Sequence, residues 1–79
     1  MLEKVTEGDL AIFKNGEERK IDYVARDYNS VSLGFDNPVS CETMGFNLAR
    51  WWSYRYNGEW NGDIQDRNDI VKVIHIEEG

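Results

Sequence analysis

Ser30-Val31-Ser32-Leu33-Gly34-Phe35 decides the fold. Val31, Leu33 and Phe35 alternate with two serines and a glycine, so one face of this segment is apolar and the other is small and polar. A period of two is the mark of a half-buried β-strand. Upstream, Asp27-Tyr28-Asn29-Ser30 reads as a polar turn, preceded by a strand over Glu18 to Arg26 in which Ile21, Tyr23 and Ala25 share a face. Before that comes Asn15-Gly16, a dipeptide that accepts the positive φ angles of a type I′ turn, and therefore a hairpin. Its first arm is Asp9-Leu10-Ala11-Ile12-Phe13-Lys14.

Downstream, Asp36-Asn37-Pro38 is expected to end the strand, because proline cannot donate to a ladder. Residues 38–46 read as a loop, with room for one helical turn. An aromatic strand follows from about Phe46 to Tyr56, although residues 42–52 would also suit a short helix. Asn57-Gly58 turns the chain, Glu59-Trp60 starts a short return and Asn61-Gly62 turns again. Residues 63–69 are polar. Ile70-Val71-Lys72-Val73-Ile74-His75-Ile76 is a final strand, apolar on both faces, with one side expected inward and the other covered.

Short strands joined by tight turns cannot remain a flat exposed sheet in a chain of 79 residues. The expected fold is mainly β: a strongly bent antiparallel sheet of five or six strands closing into an SH3-like barrel, as one domain over residues 1–79. A domain this small buries only about 60–65% of the surface that its unfolded chain exposes, which leaves little room for an enclosed cavity.

Composition narrows the function classes. Apolar residues make up 41% of the chain, too many for a disordered tail. No apolar run reaches the ~20 residues of a membrane-spanning helix, and the first residues lack a signal-peptide core, so the expectation is a cytoplasmic protein without a membrane partner. The net charge of −6 opposes general attachment to a phosphate backbone and suits a partner with a basic surface. Lys14, Arg19, Lys20 and Arg26 on the first hairpin are the one local basic face that would favour DNA or RNA.

Arg50-Trp51-Trp52-Ser53-Tyr54-Arg55-Tyr56 is the most unusual stretch. Extended, it sets Arg50, Trp52, Tyr54 and Tyr56 on one face and Trp51, Ser53 and Arg55 on the other. Two tryptophans on opposite faces cannot share one small interior, so one is expected outside or lining a pocket. Three readings stand: both rings plug the barrel ends, exposed rings beside Arg anchor a protein interface, or they stack on a nucleobase. Trp60 would add to the anchor.

Asp63, Asp66 and Asp69 form an acidic loop with two readings, a solvated segment or a steering rim for Lys and Arg of a partner. Their spacing does not match an EF-hand, and no metal or cofactor is implied. Cys41 and His75 are each the single residue of their type, and no nucleophile–base spacing, phosphate loop or metalloprotease motif occurs, so no enzyme is expected.

Glu7-Gly8-Asp9, the Asn15-Gly16 hairpin, Tyr56-Asn57-Gly58 and the closing Asp69-Ile70-Val71-Lys72-Val73-Ile74 together resemble short accessory proteins of tailed bacteriophages. The resemblance spans most of the chain and transfers no catalytic residue. It implies a non-catalytic binding protein acting in the cytoplasm of an infected bacterium, one that modulates or inhibits a host protein such as a component of antiviral defence. The alternative is a sponge for a nucleotide signal, with Arg50 or Arg55 on phosphate and a Trp or Tyr on the base. That reading favours an oligomer, because one small barrel has little concave surface.

Overall fold

The computed structural model describes residues 1–39, 49–61 and 68–76. After a short 3₁₀ turn at Leu2–Lys4 come five strands: β1 (Leu10–Phe13), β2 (Glu18–Arg26), β3 (Ser30–Val39), β4 (Ala49–Arg55) and β5 (Ile70–Ile74). They form one antiparallel sheet in the order β4-β3-β2-β1-β5. The sheet curls into a half-barrel, compatible with the small barrel expected from the sequence.

The curl has a local origin in β2. The first half of this strand pairs with β1, Leu10 opposite Lys20 and Ile12 opposite Glu18. Its second half pairs with β3, from Ile21 opposite Phe35 to Arg26 opposite Val31. Between Ile21 and Tyr23 the register shifts, so Asp22 is an extra residue in β2. Such a bulge bends a strand and raises its twist. It also corrects the face assignment made from periodicity: Ile21 is fully buried, whereas Tyr23 points outward and is exposed.

Inside the curl lie Ala11, Phe13, Ile21, Val31, Leu33, Phe35, Val39, Trp52, Tyr54 and Ile70. Phe13 and Phe35 meet edge to face with ring centres 5.2 Å apart. Fully burying side chains of this size contributes about 1.5–3 kcal/mol each. Leu2 and Val5 close one end of the core. They are held there by the Leu2 N–H donating to the Tyr56 carbonyl at 2.8 Å, and by the Arg26 guanidinium, which donates to the carbonyls of Glu3 and Val5.

Three further expectations are corrected. β3 does not stop at Asp36-Asn37-Pro38 but continues to Val39, which pairs with Ala49. The ladder to β4 is interrupted between Gly34 and Val39, and an irregular stretch of this kind is where a strand tolerates proline. The Pro38 carbonyl is not idle, since it accepts a hydrogen bond from Arg19 Nε at 3.2 Å. The turn after β1 is not type I′, because Asn15 does not have positive φ. Gly16 N–H donates to Phe13 O and Phe13 N–H to Glu17 O, both at 2.9 Å, with Gly16 at φ 92°. This is the three-residue hairpin loop that ends in a left-handed glycine.

The same geometry recurs after β4. Gly58 N–H donates to Arg55 O, Arg55 N–H donates to Glu59 O, and Gly58 has φ 98°. In both turns the asparagine Oδ1 accepts the N–H two residues on, from Glu17 and from Glu59. The two glycines differ in their surroundings. A β-carbon at Gly16 would meet nothing, whereas one at Gly58 would run into the Ile70 carbonyl. That close approach lets Ile70 N–H donate to Gly58 O at 2.9 Å, which ties the start of β5 to the turn after β4.

The third correction concerns β5. It is an edge strand, and its second face is not covered: Val71 is 52% exposed and Ile74 36%. The proposed helical turn at 38–46 falls mostly outside the described residues, as does Cys41. No helix among the described residues is long and apolar enough to cross a membrane.

Candidate functional site

Strand alternation decides the fate of each aromatic residue in β4. Trp52 and Tyr54 face inward and are buried, while Trp51 and Arg55 face outward. Trp52 lies opposite Leu33 and Tyr54 opposite Val31, both of them core residues. Trp60 packs on Trp52, with ring centres 4.6 Å apart, and the Tyr54 ring lies 6.4 Å from Trp52 with planes 14° apart. The Tyr54 hydroxyl donates to the Asn68 carbonyl at 3.2 Å. Tyr56 is half-buried and its hydroxyl donates to the Asp27 carbonyl at 2.6 Å. These four rings are therefore structural elements of the folded chain, and Trp52 and Tyr54 present no surface to a partner.

Trp51 is different. It is 62% exposed, an unusual state for the largest side chain in a small domain. Register places it opposite Gly34, which in turn lies opposite Tyr23, so the three form one row across β4, β3 and β2 on the outer face. The Trp51 and Tyr23 rings meet edge to face with centres 4.9 Å apart and planes at 67°. Gly34 makes this contact possible. A β-carbon there would lie 3.0 Å from Trp51 Cζ3 and 3.1 Å from Tyr23 Cβ, so the indole occupies the space that any larger residue would fill. The next row holds Ala25, Ser32 and Ser53, all small. The outcome is an aromatic step beside a row of small side chains.

The arginines are partly engaged. Arg50 Nε donates to the Phe35 carbonyl at 3.2 Å, and Arg55 Nε donates to Asn61 Oδ1 at 3.3 Å. Asp69 is built into the fold: its carboxylate accepts the Trp60 N–H at 2.9 Å and its carbonyl accepts the Lys14 N–H at 2.7 Å. Asp63 and Asp66 lie outside the described residues.

Two features escaped the sequence. Tyr23 joins Trp51 only because the bulge at Asp22 turns it outward, and a period-two count across that residue gives the opposite face. The second is an ion-pair geometry between His75 Nδ1 and Asp9 Oδ1 at 2.7 Å, across 66 positions of sequence. Asp9 is 2% exposed, and its other oxygen accepts the Thr6 N–H at 3.0 Å. Asp9 thus fixes the loop before β1 and orients an imidazole that remains largely in solvent. No group of three or more His, Cys, Asp or Glu able to hold a metal ion occurs among the described residues. Comparison with protein-family models, with curated proteins and with solved structures found no match.

Proposed function

We propose that this protein is a non-catalytic binding module whose anchor is Trp51, supported by Tyr23 and seated on Gly34. The observation that carries the reading is a tryptophan held 62% exposed in a fixed position by its neighbours. Leaving so much apolar ring in water forgoes burial energy, and a preorganised exposed Trp beside Tyr and Arg has the composition of an interface hot spot. The step stands on the outer side of the curled sheet, whereas sites for small molecules are concave. A projecting aromatic step suits another protein.

The charge of −6 favours a partner with a basic surface through steering of the encounter. The resemblance to phage accessory proteins supports a host protein in an infected bacterium as that partner, with modulation or inhibition as the consequence. The anchor is narrower than the sequence implied, since Trp52 and Tyr54 are spent on the core and Asp69 on the β5 junction.

The test is retention of bacterial-lysate proteins on the immobilised full chain, compared with Trp51→Ala and Lys4→Ala. Specific bands that Trp51→Ala loses and Lys4→Ala keeps support the reading. Identical capture by all three removes it. A nucleotide sponge is the second reading, favoured by Arg55 sharing the outer face with Trp51. Stabilisation of the chain by a nucleotide in a thermal-shift panel, abolished by Trp51→Ala, would select it.

A further inference from the structure

A second outward surface lies on the other half of the sheet. Ala11 and Phe13 are buried, so Leu10 and Ile12 are the outward positions of β1. The register sets two rows across β2, β1 and β5: Lys20, Leu10 and Ile74 in one, and Glu18, Ile12 and Lys72 in the other. Leu10 and Ile12 are half-buried, and the remaining four are exposed. Among the described residues, Glu18, Lys20 and Lys72 make no side-chain ion pair.

We propose that this face packs against the same face of a second copy of the chain, sheet on sheet, about a two-fold axis. The argument is the placement of the charges. An axis running along β1 lays β1 on its counterpart and exchanges the flanking columns. Leu10 and Ile12 then meet their own equivalents, each Glu18 faces Lys72 of the partner subunit, and each Lys20 stem lies over Ile74 of the partner subunit. An axis running across the strands instead sets each Glu18 against Lys20 of the partner subunit. The axis along β1 closes one pair of opposite charges on each side of the apolar stripe, the axis across the strands closes both pairs over β2 and lays Lys72 over Ile74 of the partner subunit, and neither sets like charges in contact. A patch rimmed only by lysines would repel its own copy, and Glu18 is the residue that removes the conflict.

Six side chains per subunit make a small interface, well under the ~800 Å² per partner of a standard complex, so the dimer is weak. It leaves Trp51 free, because that ring sits over β3 and β4.

Sedimentation equilibrium on the full chain at physiological salt, from about 10 µM to about 1 mM, reads the association directly. The expected result is a monomer–dimer equilibrium that Ile12→Glu and Glu18→Lys each abolish. Glu18→Lys replaces an exposed residue and keeps the fold, which circular dichroism checks independently of Ile12→Glu. Restoration of the dimer in the reciprocal variants then identifies the axis: Glu18→Lys with Lys72→Glu for the first, Glu18→Lys with Lys20→Glu for the second. A chain that stays monomeric throughout the range overturns the proposal. So does association that survives both single variants, or a dimer that neither reciprocal variant restores.

Discussion

Trp51 and Trp52 are adjacent in sequence and occupy opposite sides of one strand. Across β3, Trp52 faces Leu33 and Trp51 faces Gly34. Inside, Trp52 is 5% exposed and packed between Leu33, Tyr54 and Trp60. Outside, among the described residues, Trp51 meets the edge of Tyr23 and rests on the glycine beneath it. The residue type is the same, so the difference comes from what each neighbouring strand offers at that rung. A large partner at Leu33 completes a core. An absent side chain at Gly34 makes a seat on which a ring rests without being enclosed. The inner tryptophan contributes to stability, and the outer one is available for recognition.

The largest effect should come from the inner face. Trp52→Ala removes a buried indole and leaves a cavity beside Tyr54 and Trp60, and such truncations cost about 3–5 kcal/mol. A domain with total stability of about 5–15 kcal/mol loses much of it. Urea unfolding should show a collapse of the midpoint or an unfolded chain at room temperature. A midpoint near that of the wild type would erase the distinction between the two faces. Tyr54→Phe is the milder inner probe. It keeps the ring and deletes the hydroxyl that donates to Asn68 O, so the loss should be about 1 kcal/mol, read from the same unfolding curves.

How much of this contrast was visible in the sequence depends on how local its cause is. The strands of the first hairpin, of Val31-Leu33-Phe35 and of the aromatic segment follow from alternation alone, and so does the assignment of the two tryptophans to opposite faces. What alternation could not supply is which face is the interior, because both sides of β4 carry rings. A period-two count puts Tyr23 on the inner face, and one inserted residue, Asp22, reverses the parity of everything beyond it. The extension of β3 through Pro38 was hidden for a similar reason, since an interrupted ladder makes no demand on the proline nitrogen. The Asp9–His75 contact depends on β1 and β5 lying side by side, a pairing between distant segments that no short-range pattern announces. Charge alone groups Asp69 with Asp63 and Asp66, but it says nothing of the backbone N–H groups that Asp69 accepts from at the β5 junction.

On the outer face, Trp51→Ala should lower the unfolding midpoint far less than Trp52→Ala. It forfeits the edge-to-face contact with Tyr23, worth about 0.5–1.5 kcal/mol in addition to a modest change in buried area. Retention of the lysate partner should nevertheless fall at least tenfold, equivalent to about 1.4 kcal/mol or more of binding free energy. A stability loss as large as that of Trp52→Ala would mean that the outer ring also holds the sheet together.

Gly34→Ala should have the smallest effect on stability and is the most direct probe of the seat. Its backbone is not in the left-handed region, so alanine causes no conformational strain, and it stiffens the unfolded chain by about 0.4–1 kcal/mol in favour of folding. Against this gain stands a methyl group 3.0 Å from Trp51 Cζ3 and 3.1 Å from Tyr23 Cβ, the second of which gives way only by a small shift of β2. The indole has solvent on its far side and can tilt away by a few tenths of an ångström, whereas Leu33 and Trp52 have no such freedom. The two contributions should nearly cancel, leaving the urea midpoint unchanged while nuclear Overhauser contacts between the Trp51 and Tyr23 rings weaken and partner retention drops. A midpoint that falls as far as in Tyr54→Phe would show that Trp51 cannot move, and that the outer face is as tightly determined as the inner.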